Sequence, residues 1–238
     1  MPHPQIIAAV AVAGPEDLPA DGRERVAAAD LVEVRLDAVA GRPEAAVALC
    51  RAVADWGKPL LLTPRSAGEG GQRVWGDGDR QAMLEAVWAA LPTAHVDVEL
   101  RDSPRLLEWV LANRPAGVEV IASFHDFERF PGEGWLEVLA MEAAAVGADH
   151  FKAAVHVDGL DQAARLACWT HTRASTQSLI TLAMGPVGGL PRIMGGAFGS
   201  WATFGHIGTA TAPGQLSVAE LAELRDRLYP GEDGAEAE

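Results

Sequence analysis

The chain has 238 residues, 49% of them hydrophobic, and a formal net charge of −14 from 19 basic and 33 acidic side chains. Its length and apolar content suffice for one or two globular domains with a sizeable core, and its negative charge disfavours general binding to nucleic acid or anionic membranes. No apolar run approaches the roughly 20 residues that span a bilayer, and the first residues lack the basic start and cleavage site of a secretory signal. We therefore expect a soluble, cytoplasmic protein.

Cys50 and Cys168 are the two cysteines, and they lie far apart in the sequence. They form no CxxC pair and have no nearby histidine pairs, so the sequence predicts neither a disulfide framework nor a zinc site. We expect both side chains to be buried thiols.

Short β-type runs alternate with helical segments along the whole chain. The runs cover residues 5–12, 30–37, 59–65, 95–100, 118–125, 149–155, 178–184 and 200–205. Eight strands alternating with helices is the count of a (β/α)8 TIM barrel. We predict one barrel domain over residues 1–230, followed by an acidic, disordered tail at 231–238. A doubly wound open sheet has the same alternation and remains the alternative.

Capping residues agree with this division. Ser103, which precedes Pro104, and Ser217 are predicted helix N-caps, whereas Gly57 and Gly147 are predicted to end helices ahead of the next strand. The first and seventh helices are the weakest predictions. For the seventh, the glycine-rich residues 185–199 leave room for only one or two helical turns.

Charged side chains alternate with apolar ones in two of the predicted strands. In residues 31–37 the polar set is Glu33, Arg35 and Asp37, and in residues 95–100 it is Asp97 and Glu99. Because strand side chains alternate between two faces, the apolar sets should face the helices and the charged sets the barrel interior. Buried charges need partners, so we interpret Asp97 as a structural ion-pair partner of arginine.

The same alternation selects further polar residues near the carboxyl ends of strands, where barrel enzymes carry their chemistry. These are Arg65, Ser123, His125 and Lys152. Lys152 lies in an otherwise apolar run, where its ammonium either pairs with a carboxylate such as Glu33 or Glu99, or is kept partly neutral and attacks a carbonyl to form a Schiff base. His125 would then be the base, and Glu69, in the loop after the third strand, would orient its ring.

The last two predicted loops differ from the others. Arg192 lies in a glycine-rich segment, and Thr211 and Gln215 precede the final helix. Barrels bind anions at this corner, so Arg192 is a candidate partner for a carboxylate or phosphate. Neither loop matches a P-loop or a dinucleotide fingerprint, and we expect no nucleotide cofactor.

In their order and spacing, several of these segments resemble the type I 3-dehydroquinate dehydratases, the Schiff-base enzymes of the shikimate pathway. The matching segments are EVRLD, RSAGEGG, DVEL, SFHDF, GADHFKAAV, MGPVGGLPR, FGSWATF and TAPGQLSV, and they run from residue 33 to residue 218.

The resemblance implies a single barrel that converts 3-dehydroquinate to 3-dehydroshikimate and water without a metal or other cofactor. It assigns the imine to Lys152, proton transfer at C2 and C1 to His125, and orientation of the histidine to Glu69. It also implies a substrate-binding set in which the carboxylate and hydroxyl groups meet polar residues and the pocket walls are apolar: Glu33, Arg35, Arg65, Arg192, Thr211, Gln215, Met184 and Phe204. A homodimer is also expected.

Three positions depart from the family pattern. Pro191 stands where serine is usual, Phe130 where threonine is usual, and Leu182 where relatives can carry methionine. None of these positions is an acid, base or nucleophile, so we expect an active enzyme with altered affinity. A class I aldolase acting on a small anionic carbonyl compound, or a ligand-sensing barrel without turnover, remain the competing hypotheses.

Overall fold

Eight parallel strands form the centre of the molecule. The computed structural model describes residues 3–39, 41–208, 210 and 215–229; Thr211 and the predicted tail at 231–238 lie outside the described residues. The strands are β1 (Gln5–Val10), β2 (Leu31–Arg35), β3 (Leu60–Thr63), β4 (His95–Glu99), β5 (Val120–Asp126), β6 (His150–His156), β7 (Leu179–Met184) and β8 (Ala202–His206).

Helices follow the strands and surround the sheet. They are α1 (Gly22–Arg25), α2 (Pro43–Ala54), α3 (Asp77–Ala90), α4 (Pro104–Asn113), α5 (Glu133–Val146), α6 (Leu160–Arg173), α7 (Gly189–Met194) and α8 (Val218–Leu228). As predicted, α1 and α7 are the shortest, with four and six residues. No helix in the described ranges has the length and apolar character needed to cross a bilayer.

Strand order identifies the closed barrel and excludes the open doubly wound sheet. The ladder runs β7-β6-β5-β4-β3-β2-β1-β8, and β1 pairs with both β2 and β8. A parallel bridge between Leu179 and Ser200 joins β7 to the segment leading into β8, where Trp201 N donates to Leu179 O at 2.6 Å. The prediction of a single (β/α)8 TIM barrel is confirmed.

The two faces of each strand bury against different partners. Val32 and Val34 of β2 belong to the large core between strands and helices, while a smaller apolar cluster, which includes Ile7, Leu61 and Ile180, fills the barrel interior. Apolar burial on the outer face is what holds the helices against the sheet. The charged side chains of β2 and β4 are consequently left to the inner face, as the alternation predicts.

Local signals at the helix ends agree with the structure in most cases. Ser217 forms a complete capping box with Glu220 at the start of α8, and Gly147 ends α5 with a φ of +84°. Ser103 occupies the N-cap position of α4, but its hydroxyl does not cap the helix. That hydroxyl instead accepts a hydrogen bond from Arg80.

The cysteine prediction is half wrong. Cys50 is fully buried on α2, and burial raises the pKa of its thiol to about 12. Cys168 is an exposed free thiol on α6, because the buried positions of that helix are Ala163, Leu166, Trp169 and Thr170 and position 168 is turned towards solvent.

Candidate active site

Lys152 lies inside the barrel, on β6. The residue is 3% exposed, and Nζ donates a hydrogen bond to Asp97 Oδ2 at 2.8 Å. Nζ also lies 4.1 Å from the centre of the Phe204 ring on β8. The amine is thus held between a carboxylate and an aromatic face, with its stem in the apolar interior.

Asp97, on β4, is fully buried and receives three hydrogen bonds. Besides Lys152, its partners are Arg65 Nη2 at 2.9 Å and Ser123 Oγ at 2.6 Å, both bound to Oδ1. Burial alone would raise the pKa of Asp97, but the charges of Arg65 and Lys152 outweigh it and hold the pKa well below its usual range. Asp97 is therefore an ionised carboxylate in the barrel interior.

Glu99 connects the Asp97–Arg65 ion pair to Arg80 on α3. Its Oε1 accepts from Arg65 Nη1 at 2.9 Å and from the Ser66 amide at 3.0 Å, and its Oε2 accepts from Arg80. Arg80 is 2% exposed and also donates to the Pro64 carbonyl at 2.8 Å. Arg65 is consequently fixed between two carboxylates, which raise its pKa although burial by itself would lower it.

His125 and Glu69 form a second hydrogen-bonded pair at the barrel mouth. His125 lies near the end of β5, one strand before Lys152, and Ser123↔Lys152 and His125↔Ala154 are paired in the ladder. Glu69 Oε2 accepts from the His125 backbone N–H at 2.9 Å and lies 2.9 Å from Nδ1 of the same ring. Since Nδ1 is engaged, Nε2 is the ring nitrogen that can exchange a proton with a ligand.

The protonation of this pair follows from burial. Burial lowers the pKa of His125 well below 6.5, and the positive charges of Arg65 and Lys152 lower it further. Burial also raises the pKa of Glu69 to about 8, even though Arg65 and the His125 amide counteract it. At neutral pH the imidazole is therefore uncharged and able to accept a proton.

The loop that carries Glu69 is shaped by its small residues. Ser66 Oγ accepts from the Glu69 amide at 3.2 Å and starts a short 3₁₀ turn over Ala67–Glu69. Gly70 ends the turn with a φ of +88°, and a Cβ on Gly71 would lie 2.5 Å from the Arg65 carbonyl oxygen. Only glycine fits these two positions comfortably, so the pair brings Glu69 onto His125.

Polar groups of β2 line the same cavity. Glu33 is 4% exposed and accepts a hydrogen bond from Thr63 Oγ1 at 2.7 Å. Arg35 donates to both oxygens of the buried Asp37, at 2.8 and 3.0 Å, and to the Gly70 carbonyl at 3.3 Å. These contacts tie the end of β2 to the Glu69 loop and point donors and acceptors at the cavity.

Arg192 enters the cavity from the opposite side. It lies on α7 and is 3% exposed, and its Nε donates to the Ala183 carbonyl at 3.1 Å. Its buried Nη1 has no hydrogen-bond partner among the described residues, and burial lowers its pKa to about 10. A buried guanidinium with an open donor is a binding element for an anion. Gln215 lines the same cavity, whereas Thr211 lies outside the described residues.

The rest of the cavity wall is apolar. Met184 and Phe204, both predicted from the family resemblance, line it together with Leu182, Ala154 and Phe127. Phe127 stacks on the His125 ring with the planes 15° apart and the ring centres 6.2 Å apart. Ten of the eleven predicted site residues are thus brought to one cavity: Glu33, Arg35, Arg65, Glu69, His125, Lys152, Met184, Arg192, Phe204 and Gln215.

Sequence reasoning missed some of the residues around this cavity. Asp97 was interpreted only as a partner of arginine, but it is bonded to Lys152 as well. Arg80 was not selected, although it shares the buried face of α3 with Met83, Leu84 and Val87. A helical period drawn through those apolar positions would have identified it.

The fold and the site together define a barrel enzyme with a buried amine, a neutral imidazole and an open arginine around one cavity. The model of the family described as type I 3-dehydroquinase matches residues 7–230. A 3-dehydroquinate dehydratase of Klebsiella pneumoniae is 36% identical over 211 residues, which are 85% of this chain and 84% of that protein.

Solved structures agree with the sequence matches. The 3-dehydroquinate dehydratase of Geobacillus kaustophilus superposes with a TM-score of 0.85 at 26% identity, over 96% of this chain and 93% of that one. The type I enzyme of Clostridium difficile, solved with covalently modified comenic acid, gives a TM-score of 0.83 at 25% identity over the same shares. This chain belongs to the type I 3-dehydroquinase family.

Proposed function

We propose that the chain converts 3-dehydroquinate to 3-dehydroshikimate and water through a Schiff base on Lys152. The observation that carries the proposal is the cavity itself, which is lined by a buried amine, the His125–Glu69 pair and Arg192, whose Nη1 has no hydrogen-bond partner among the described residues. Family membership supports the reaction, and the site supports the assignment of its steps. Residues 1–230 would form the catalytic domain.

The first step is attack by the Lys152 amine on the C3 ketone of the substrate. His125 then returns a proton to the hydroxyl of that adduct, and loss of water leaves a protonated imine, which draws electrons from the neighbouring C2. A nucleophilic amine needs an uncharged state, and the neutral His125 on the adjacent strand is available to accept its proton.

The second step is proton transfer by His125. Its Nε2 removes the C2 proton and then returns a proton to the C1 hydroxyl, which departs as water. Glu69 holds Nδ1 and the backbone N–H of the same residue, so the ring keeps one orientation through both transfers. Hydrolysis of the remaining imine then frees the amine.

Substrate orientation would come from the two polar sides of the cavity. Arg192 and Gln215 would hold the C1 carboxylate and its neighbours, and we propose Thr211 for the same group on the family pattern alone. Glu33, Arg35 and Arg65 would receive the ring hydroxyls. Arg35 and Arg65 are already fixed by carboxylates, so they are preorganised for hydrogen bonding to the ligand.

The test is direct observation of the product. Incubation with 3-dehydroquinate should produce the absorbance of the enone 3-dehydroshikimate, and Lys152→Met should abolish it while the protein remains folded. Lys58→Arg is the matched control, because Lys58 lies at the surface and its Nζ donates to the Ala27 carbonyl. Enone formation that survives Lys152→Met would exclude the Schiff-base route.

We also propose a cytoplasmic homodimer. An exposed free thiol at Cys168 suits a reducing compartment. The outer face of α5 exposes Trp135, Val138 and Met141, which are 42%, 41% and 58% accessible, and a second copy of the chain could cover this apolar face. Light scattering of the wild type and of Met141→Glu tests the dimer, and a monomeric wild type would contradict it.

A further inference from the structure

Asp97 is the carboxylate in direct contact with the reactive amine. Its Oδ2 lies 2.8 Å from Lys152 Nζ, the atom that becomes the imine nitrogen in the proposed reaction. It has no exposed surface, so water does not compete for this contact. A fully buried anion at a reacting nitrogen influences each intermediate in which the charge of that nitrogen changes.

We propose that Asp97 is the counter-ion of the iminium formed on Lys152 and keeps this nitrogen protonated while C2 loses its proton. The inference rests on the proposed function, since the iminium exists only if Lys152 forms the imine. It assigns Asp97 a catalytic role in addition to its ion pair with Arg65.

Protonation of the imine nitrogen determines whether the second step can occur. A neutral imine accepts electrons poorly, whereas an iminium takes up the C2–H electron pair as C2 is deprotonated. The Arg65 guanidinium is bonded to the other oxygen of the same carboxylate, so it places a second positive charge near this nitrogen and disfavours the iminium. Asp97 is the carboxylate in contact with the nitrogen, and its negative charge opposes this repulsion.

The geometry holds Asp97 in this role. Arg65 Nη2 at 2.9 Å and Ser123 Oγ at 2.6 Å both bind Oδ1, which leaves Oδ2 directed at Lys152. The depressed pKa of Asp97 means that the carboxylate does not take the proton from the iminium. His125 and Glu69 also face this cavity, but they are bonded to each other.

The electron flow balances around this nitrogen. As His125 takes the C2 proton, the C2–H pair becomes the C2=C3 bond, and the C=N pair moves onto nitrogen to give a neutral enamine. That pair then returns to form C=N, the C2=C3 pair becomes the C1=C2 bond, and the C1–O bond breaks as the hydroxyl leaves as water with the proton from His125. The nitrogen begins and ends as an iminium beside Asp97.

The experiment is Asp97→Asn, which keeps the shape of the side chain and removes its charge. Single-turnover mixtures are quenched with borohydride, and the mass of the Lys152 adduct distinguishes the substrate imine from the product imine, which is lighter by one water. In the folded variant we expect the substrate adduct to accumulate and elimination to slow by about 100-fold or more. Elimination within a few-fold of the wild-type rate would overturn the proposal.

Ser123→Ala is the matched control. It removes the 2.6 Å hydrogen bond to the same carboxylate but leaves the negative charge, so elimination should stay within about tenfold of the wild-type rate. If elimination slowed equally in Ser123→Ala and Asp97→Asn, the rate would depend on the packing of the hydrogen-bond network and not on the charge of Asp97, and the proposal would be overturned. A folded Asp97→Asn that forms no adduct would place Asp97 at the attack step and would also overturn the proposal.

A second measurement serves if Asp97→Asn does not fold, because removal of one member of a buried ion network is strongly destabilising. The chain contains two lysines, Lys58 and Lys152, so lysine labelled with ¹⁵N at the side-chain nitrogen gives two signals, and Lys58→Arg leaves one. With 3-dehydroquinate added, the wild-type Lys152 signal should be that of a protonated iminium throughout the pH range of turnover.

These outcomes separate the two proposals. If the wild type forms no adduct on Lys152, the proposed function fails. If the adduct forms but its nitrogen signal is that of a neutral imine, the function stands and the role of Asp97 is refuted.

Discussion

Glu69 is a buried carboxylate whose ionisation should lower the stability of the fold. Burial raises its pKa from 4.5 to about 8, so between these pH values the folded state holds a proton that the unfolded state has lost. The stabilising contribution of the protonated group is complete below pH 4.5 and is lost as the pH rises through about 8. Glu69→Gln removes this titration.

The size of this loss in stability follows from the shift in the pKa of Glu69. The full difference corresponds to about 4 to 5 kcal/mol in unfolding free energy. Once ionised, Glu69 favours a charged His125, to which it is bonded, and this attraction offsets part of the loss in stability. We therefore expect the unfolding free energy to fall by about 3 kcal/mol. For a chain of this length, that is roughly 6 to 12 °C in melting temperature.

Thermal unfolding followed by circular dichroism at several pH values measures this difference. Wild type and Glu69→Gln should melt at similar temperatures near about pH 5, and the variant should become the more stable protein by about pH 9. Glu108→Gln, on the exposed surface of α4, is the matched control and should follow the wild type. Parallel profiles for wild type and Glu69→Gln would refute the argument from burial.

Three further substitutions test other parts of the site. His125→Ala should still form the imine but dehydrate about 10² to 10⁴ times more slowly; full activity would require another base. Arg192→Ala should raise KM about 10- to 100-fold, the range for loss of a charge-assisted bond, and an unchanged KM would contradict the anion site. Arg80→Met removes one of the two buried arginines bonded to Glu99, so it should lower the free energy of unfolding, measured in urea, by about 3 to 5 kcal/mol. A variant as stable as the wild type would show that this contact contributes little.

Strand alternation made most of the fold predictable. Apolar residues such as Val32 and Val34 recur at every second position of β2, and this period of two predicts which face meets the helices. Closure of the sheet into a barrel could not be predicted from this pattern, because an open sheet produces the same alternation. It depends on the contact of β1 with β8 and on the Leu179–Ser200 bridge, which join distant parts of the chain.

The candidate site was predicted where residue type and strand position coincide. Lys152 and His125 stand out because polar groups are costly on apolar strands. Contacts between distant elements could not be read in the same way: Asp97 meets Lys152 across 55 positions of sequence, and Arg80 reaches Glu99 from a helix. The alternation of the strand predicts that Asp97 is buried, and the helical spacing predicts the same for Arg80, but neither pattern predicts which residue each side chain contacts.

The most direct test of the mechanism is the position of the covalent adduct. Wild type and Lys58→Arg are incubated with 3-dehydroquinate, reduced with borohydride, digested, and mapped by peptide mass spectrometry. We predict one reduced adduct, on the peptide that contains Lys152, in both proteins. No adduct in a protein that forms the enone, or an adduct on Lys58 that disappears in Lys58→Arg, would contradict the assignment of Lys152 as the nucleophile.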